Sequence, residues 1–351
     1  MPSYFSSKIK LAGFYKSFLL NYKLGKVTPP KYVIWDSTRR CNLDCEHCGA
    51  KKEQYRSELT TEQVKSLIEG FSTYKVEYFA VTGGEPLIRQ DLLEIFSFAK
   101  VKGLKTGLAT NGFFIDKLTS KKIANVFDSV QISLDGSQQI HNKIRGNEDA
   151  FQKAIQAVSL LQKNNCKQIT ISSVITPSNI DNLKNLAEII KKLKVEVWKI
   201  VSVMPIGKVE ETDRLYLSRD KFTKLLQFIK ENKQRLKIEF GENVGYLGKY
   251  DNKVRNEPFF CPVGFLSCCV GVNGNVRGCP EQPDTPYFRE GNILEKDFPG
   301  IWENGFKKYR AREYLQDETC RKCPFKSDCR GGCWVMRLKD INCSIRRYGL
   351  S

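Results

Sequence analysis

Between residues 32 and 233 one unit recurs six times: a short apolar run, a turn, then an amphipathic stretch of helical period. The strand candidates are YVIWDS (32–37), EYFAVTG (77–83), KTGLAT (105–110), SVQISLDG (129–136), QITISSVIT (168–176) and EVWKIVSV (196–203). Their richness in Val, Ile and aromatic residues suits strands buried on both faces. Helix candidates follow at 61–71, 90–102, 116–125, 148–163, 179–193 and 218–233, and Thr60 and Gln63 have capping-box spacing at the start of the first. Such an alternation predicts an α/β protein with a parallel sheet and right-handed crossovers. Periodicity alone does not choose between an open doubly wound sheet and a barrel. In both, active sites lie at the carboxyl ends of the strands, so motifs just after strands are expected to carry the chemistry.

The pattern breaks near residue 241. Nine of the 13 cysteines fall between 261 and 343, in sequence rich in Gly and Pro with few long periodic segments. A segment like that buries little apolar surface and needs bound metal to hold it together. The predicted organisation is a basic N-terminal extension (1–30), a core (31–240) and a cysteine-rich domain (241–351). No apolar run approaches the roughly 20 residues of a membrane helix, and the N-terminus lacks the compact apolar stretch and cleavage site of a secretory signal. The expectation is a cytoplasmic protein whose thiols stay reduced and serve as metal ligands, not disulfides. The formal net charge is +18, with lysines spread along the whole chain. There is no basic stripe with interleaved aromatics, so nucleic acid is not an expected partner. An acidic peptide would suit the charge.

Directly after the first strand, CNLDCEHC places Cys41, Cys45 and Cys48 in a C-x3-C-x2-C spacing. A closed zinc site wants four ligands. His47 would have to be the fourth, but it adjoins Cys48, and neighbouring residues rarely bind one tetrahedral ion. Three thiolates without a fourth suggest a cubane cluster with one iron left open. The spacing and its place after strand one resemble the signature of radical S-adenosylmethionine (SAM) enzymes. The resemblance implies a [4Fe–4S] cluster on these three cysteines, SAM chelated to the open iron, and reductive cleavage to a 5′-deoxyadenosyl radical that abstracts hydrogen. It also implies a packing role beside SAM for His47, and a partial (β/α)6 TIM-like barrel. VTGGEP (81–86) resembles the family's GGE motif: Gly83 and Gly84 would let the backbone approach SAM, and Glu85 would accept from its ammonium. Ser133 in ISLDG, Arg145 in HNKIRG, and Ser172 or Ser173 are further SAM-contact candidates, Arg145 for the carboxylate.

Cys261, Cys279, Cys320, Cys323, Cys329, Cys333 and Cys343 resemble the seven-cysteine SPASM extension of these enzymes, which carries auxiliary iron–sulfur clusters, typically two [4Fe–4S]. The two-cluster arrangement implies Cys320, Cys323, Cys329 and Cys343 on an outer cluster, and Cys261, Cys279 and Cys333 on an inner one. RNEPFFC (255–261) lacks the extra upstream cysteine of sulfatase maturases. Cys268 or Cys269 supplies the fourth inner ligand, or the inner cluster keeps an open iron for substrate, or one of this pair donates a hydrogen atom to a substrate radical. The sequence leaves these open. Cys166, between a helix and a strand, reads as a small buried hydrophobe.

Relatives of this architecture modify peptides or act on porphyrins in alternative haem or haem d1 synthesis. Pro280 stands where sulfatase maturases have an aspartate base, and Glu281 is the nearby candidate base. The leading expectation is a peptide- or protein-modifying oxidoreductase of the ribosomal peptide maturase type, served by an electron donor such as ferredoxin or flavodoxin. A porphyrin substrate is the alternative. A zinc-dependent nucleic-acid-binding protein is the alternative from another class.

Overall fold

The computed structural model describes residues 8–50, 57–209, 212, 214–336 and 343–350; residues 1–7 of the basic extension lie outside them. Six parallel strands form in chain order: β1 (Tyr32–Asp36), β2 (Tyr78–Thr82), β3 (Lys105–Thr110), β4 (Ser129–Ser133), β5 (Ile169–Ile175) and β6 (Val197–Ser202). The helices are α1 (Lys8–Lys23), before β1, then α2 (Thr61–Thr73), α3 (Leu92–Val101), α4 (Lys117–Val126), α5 (Gln138–Arg145), α6 (Ala150–Lys163), α7 (Leu183–Leu193) and α8 (Arg219–Asn232). This is the partial (β/α)6 barrel that the family resemblance implies, with the six strand–helix units of the alternation. No helix among the described residues is long and apolar enough to cross a membrane.

Local chemistry sets the helix starts. Thr60 and Gln63 exchange side-chain-to-backbone bonds at the head of α2, and Asp116 does the same with Thr119 at α4. Each box satisfies N–H groups that the first helical turn leaves unpaired. The strands alternate faces. Val33, Trp35, Phe79 and Val81 turn outward to α2 and α3, where Trp35 stacks on Phe79 (6.3 Å) and Phe79 on Phe96 (4.9 Å). Asp36, Thr82, Gln131, Ser133, Ser172 and Lys199 turn inward and line a cavity. The period of two thus separates an aromatic outer core from a polar interior.

The region after 240 is not a separate layer. β7 (Ile238–Phe240) extends the sheet beyond β6, and β8 (Ser267–Val270) pairs in parallel with β1, so eight parallel strands run in the order β8-β1-β2-β3-β4-β5-β6-β7. β9 (Asn275–Arg277) and β10 (Gly291–Asn292) continue antiparallel beyond β8. A boundary at residue 240 therefore cuts through one continuous sheet. The physical reason is that β1 would otherwise leave an unpaired edge beside the cysteine loop. Buried Arg310 ties this region to the N-terminus: its guanidinium lies 5.6 Å from the Phe18 ring centroid and 4.8 Å from that of Trp302.

Candidate active site

The loop after β1 carries Cys41, Cys45 and Cys48 onto the wall of a cavity of about 630 Å³ at the carboxyl ends of the strands. Burial and the neighbouring thiols push the Cys41 and Cys45 thiols above their usual range. A thiol under that penalty ionises readily only when a cation or metal takes up its charge.

The loop is held by backbone from three directions. Behind it, Gly84 N–H donates to Thr38 O (2.6 Å) and Glu85 N–H to Arg40 O (2.9 Å). A Cβ on Gly83 would come within 2.6 Å of Thr38 O, and Gly83 has φ +147°. These glycines serve close backbone approach to the cysteine loop itself, as well as lining the cavity. From β6, Lys208 N–H donates to Cys48 O (3.1 Å) and its Nζ meets Asp44 Oδ1 (2.6 Å). Gly207, with φ +57°, allows this contact, since a Cβ there would lie 2.6 Å from Cys48 O. Sequence reasoning missed this clasp; the signal was the PIGK turn directly after strand six. From α5, Arg145 O and Ile144 O accept the N–H groups of Asp44 and Glu46 (3.3 and 3.0 Å).

Glu85 sits differently from its expected place. It is fully buried and is absent from the cavity wall. Its carboxylate accepts from Leu87 N–H (3.1 Å), Thr110 Oγ1–H (2.7 Å) and Asn111 N–H (2.8 Å). Glu85 therefore braces the ends of β2 and β3, and burial pushes its carboxyl up to about 7. Gly83 and Gly84, unlike Glu85, line the cavity.

Ser133, Ser172 and Lys199 stand in register across β4, β5 and β6 and all line the cavity. Ser172 is thus the inward member of its pair; Ser173 turns away and accepts from Trp198 Nε1–H (2.9 Å). Buried Lys199 was missed in the sequence, where a lone lysine inside the apolar run EVWKIVSV carries no motif. Arg145 lines the cavity, but its Nε donates to Asp135 Oδ2 (2.6 Å) and its Nη1 to Cys45 Sγ (3.6 Å). His47 is half-buried on the wall beside these groups, and desolvation there lowers its imidazole to about 4. A neutral ring suits the packing role expected of it.

The C-terminal cysteines converge as two groups. Cys279 lies within the electrostatic reach of Cys333 and Cys261, and all three line the same cavity as Cys41, Cys45 and Cys48. Cys329 lies within reach of Cys343, Cys320 and Cys323, and burial and these thiols push it up to about 12. Donor sets made only of cysteine thiols fit iron–sulfur clusters. Cys268 and Cys269 are both fully buried and absent from the cavity wall. Alternation on β8 sends them apart. Cys268, in register with Val33, points to the outer face and packs in the hydrophobic core, away from the cavity. Cys269, in register with Ile34, faces inward near Arg277 and Asp36, and burial pushes its thiol up to about 12. Glu281 is exposed at the rim of the cavity. Cys166 is buried in the core, as expected.

Residues 35–210 match the radical SAM superfamily, and residues 261–324 match the SPASM iron–sulfur cluster-binding domain. Cys329, Cys333 and Cys343 lie beyond the second match. The chain is 26% identical over 327 residues to an AdoMet-dependent heme synthase of Oleidesulfovibrio alaskensis, covering 86% of this chain and 82% of the relative. It is 27% identical over 315 residues to a mycofactocin maturase of Mycolicibacterium smegmatis (88% and 79%). It is 30% identical over 331 residues to an Fe-coproporphyrin III synthase of Methanosarcina barkeri (85% and 82%). Among solved structures, Streptococcus suis SuiB bound to S-adenosylmethionine superposes with a TM-score of 0.73 at 16% identity, covering 92% of this chain and 77% of SuiB. A second, anSMEcpe with bound AdoMet, gives 0.71 at 21% identity (92% and 95%). Both likenesses establish the fold. With a cysteine loop, a glycine cradle and a thiol-rich extension meeting on one cavity, the chain belongs to the radical SAM superfamily as a SPASM enzyme, with a [4Fe–4S] cluster, SAM and auxiliary iron–sulfur clusters as its cofactors.

Proposed function

We propose that this enzyme modifies a side chain of a peptide or protein by hydrogen abstraction. One observation carries the reading: a single cavity of about 630 Å³ is lined both by Cys41, Cys45 and Cys48 and by Cys261, Cys279 and Cys333. SAM bound at the first set supplies the abstracting 5′-deoxyadenosyl radical. The cavity must hold SAM and the inner faces of both cysteine sets, and pockets for whole drug-sized ligands already take about 300–1,000 Å³. The remaining space suits one inserted side chain, with the rest of a peptide outside. A relative named as a maturase and the SuiB structure bound to a precursor peptide support the same class.

Within the site, Gly83, Gly84, Ser133 and Ser172 line the SAM side, and His47 packs there. Glu281 at the rim takes a substrate proton. Cys261, Cys279 and Cys333 would hold the inner cluster, and inward-facing Cys269, within electrostatic reach of Cys279, is the candidate fourth ligand. Cys320, Cys323, Cys329 and Cys343 hold the outer cluster. Clusters on these two thiol sets would offer a relay for the one electron left after abstraction, passed from the inner to the outer, and a ferredoxin- or flavodoxin-type donor would supply the electron that starts the cycle.

The heme synthase and Fe-coproporphyrin III synthase relatives favour a second reading, a porphyrin substrate. Anoxic reconstitution with SAM and a reductant separates the two. Mass spectrometry would follow 5′-deoxyadenosine and added substrates, namely small peptides encoded beside the gene and Fe-coproporphyrin III. A peptide lighter by hydrogen or newly cross-linked supports the first reading. Conversion of the porphyrin with every peptide unchanged replaces it by the second.

A further inference from the structure

The contact between Arg145 and Cys45 has geometry that a SAM-carboxylate role does not explain. Arg145 ends α5, where Gly146 adopts φ +66° and packs against Asp44 O, 3.1 Å from where its Cβ would be. The last carbonyls of α5 accept Asp44 N–H and Glu46 N–H, the two residues flanking Cys45. Main-chain bonds therefore pin Cys45 on both sides to the helix end that carries the guanidinium. The side chain completes the grip: Nη1 lies 3.6 Å from Cys45 Sγ, within hydrogen-bonding distance for sulfur.

The guanidinium is itself fixed. Its Nε meets Asp135 Oδ2 at 2.6 Å. Asp135 is fully buried, and its Oδ1 accepts Val174 N–H (2.9 Å) while its own N–H donates to His141 Nδ1 (3.0 Å). Three elements thus hold one cationic N–H donor on one ligating sulfur in a buried setting. Hydrogen bonds to cluster sulfurs and nearby net charge are the protein's main controls on iron–sulfur potentials. A buried charge acts through a lower effective dielectric than an exposed one.

We propose that Arg145 is a positioning residue that raises the reduction potential of the cluster on Cys41, Cys45 and Cys48 through its N–H···S bond to Cys45, and that Asp135 limits the rise. Reduction adds one electron at the cysteine loop. The cation beside Cys45 favours that state, and the Asp135 carboxylate opposes it. Removing Arg145 and neutralising Asp135 must then move the potential in opposite directions. A purely structural role for the pair predicts shifts of the same sign or none.

The test is an EPR-monitored redox titration of the reconstituted holoenzyme without SAM. The cluster of interest is the one whose reduced signal changes when SAM is later added. Arg145→Met is expected to lower its reduction equilibrium constant at least tenfold, about 59 mV for one electron. Asp135→Asn is expected to raise it, and Arg145→Lys to restore part of the loss. An unchanged potential in Arg145→Met with full iron content overturns the proposal, as do shifts of the same sign in the two variants. Should Arg145→Met fail to hold iron, Asp135→Asn decides, and a potential unchanged or lowered there overturns it.

Discussion

Gly84 leaves no room for a side chain against Arg40: a Cβ would stand 2.3 Å from the Arg40 carbonyl oxygen. The motif's second glycine is therefore fixed by the cysteine loop as much as by any ligand. Backbone cannot yield as the end of a flexible side chain can. Gly84→Ala is expected to displace the loop, lower bound iron and abolish 5′-deoxyadenosine release. Gly70→Ala, on α2 with nothing within 4 Å of the added methyl, is the control. It should keep iron and gain roughly 0.5–1 kcal/mol of stability.

Glu85 should leave a pH signature on folding. Burial raises its carboxyl from the ordinary 4.5 to about 7. The folded chain then holds a proton that the unfolded chain has released. Its contribution is complete below about pH 4.5 and is lost as pH rises through about 7, a change of about 3 kcal/mol. Denaturant unfolding from pH 4.5 to 8 would show it, and Glu85→Gln should remove that part of the slope.

Cys268 and Cys279 should behave oppositely. Cys268→Ser puts a hydroxyl into the outer core and is expected to cost about 1–3 kcal/mol while iron content stays at the wild-type value. Cys279→Ser should lose the inner cluster's iron. Iron and sulfide analysis beside thermal unfolding distinguishes them.

The two C-terminal thiol groups should empty separately. Cys329 shares its surroundings with Cys320, Cys323 and Cys343, whereas Cys333 faces Cys279 and the cavity. Cys329→Ala is expected to lose the outer cluster's signal in EPR or Mössbauer spectra and to keep the inner one. Cys333→Ala should do the reverse.

The six buried strands were legible because parallel strands between helices carry near-continuous apolar runs. β8 was not: SCCV is four residues long, its cysteines invite a ligand reading, and only its register with β1 reveals which face each one takes. α5 escaped for a related reason, since QQIHNKIR has only Ile140 and Ile144 among polar residues, yet the helix buries His141, Ile144 and Arg145. The cysteine spacing marked the thiol groups. The brace at Glu85 and the clasp at Lys208 depend on contacts between distant loops, which spacing does not encode.

The pairing of β8 with β1 also fixes an order of events during synthesis. Tyr32 leaves the ribosome long before its partner Ser267. Through that interval β1 has an open edge next to three reactive thiols, so the nascent chain exposes both a site for strand addition and a site for oxidation. Expression that outruns chaperones or iron supply should trap the chain there, and slower translation under anoxia should raise the yield of soluble protein.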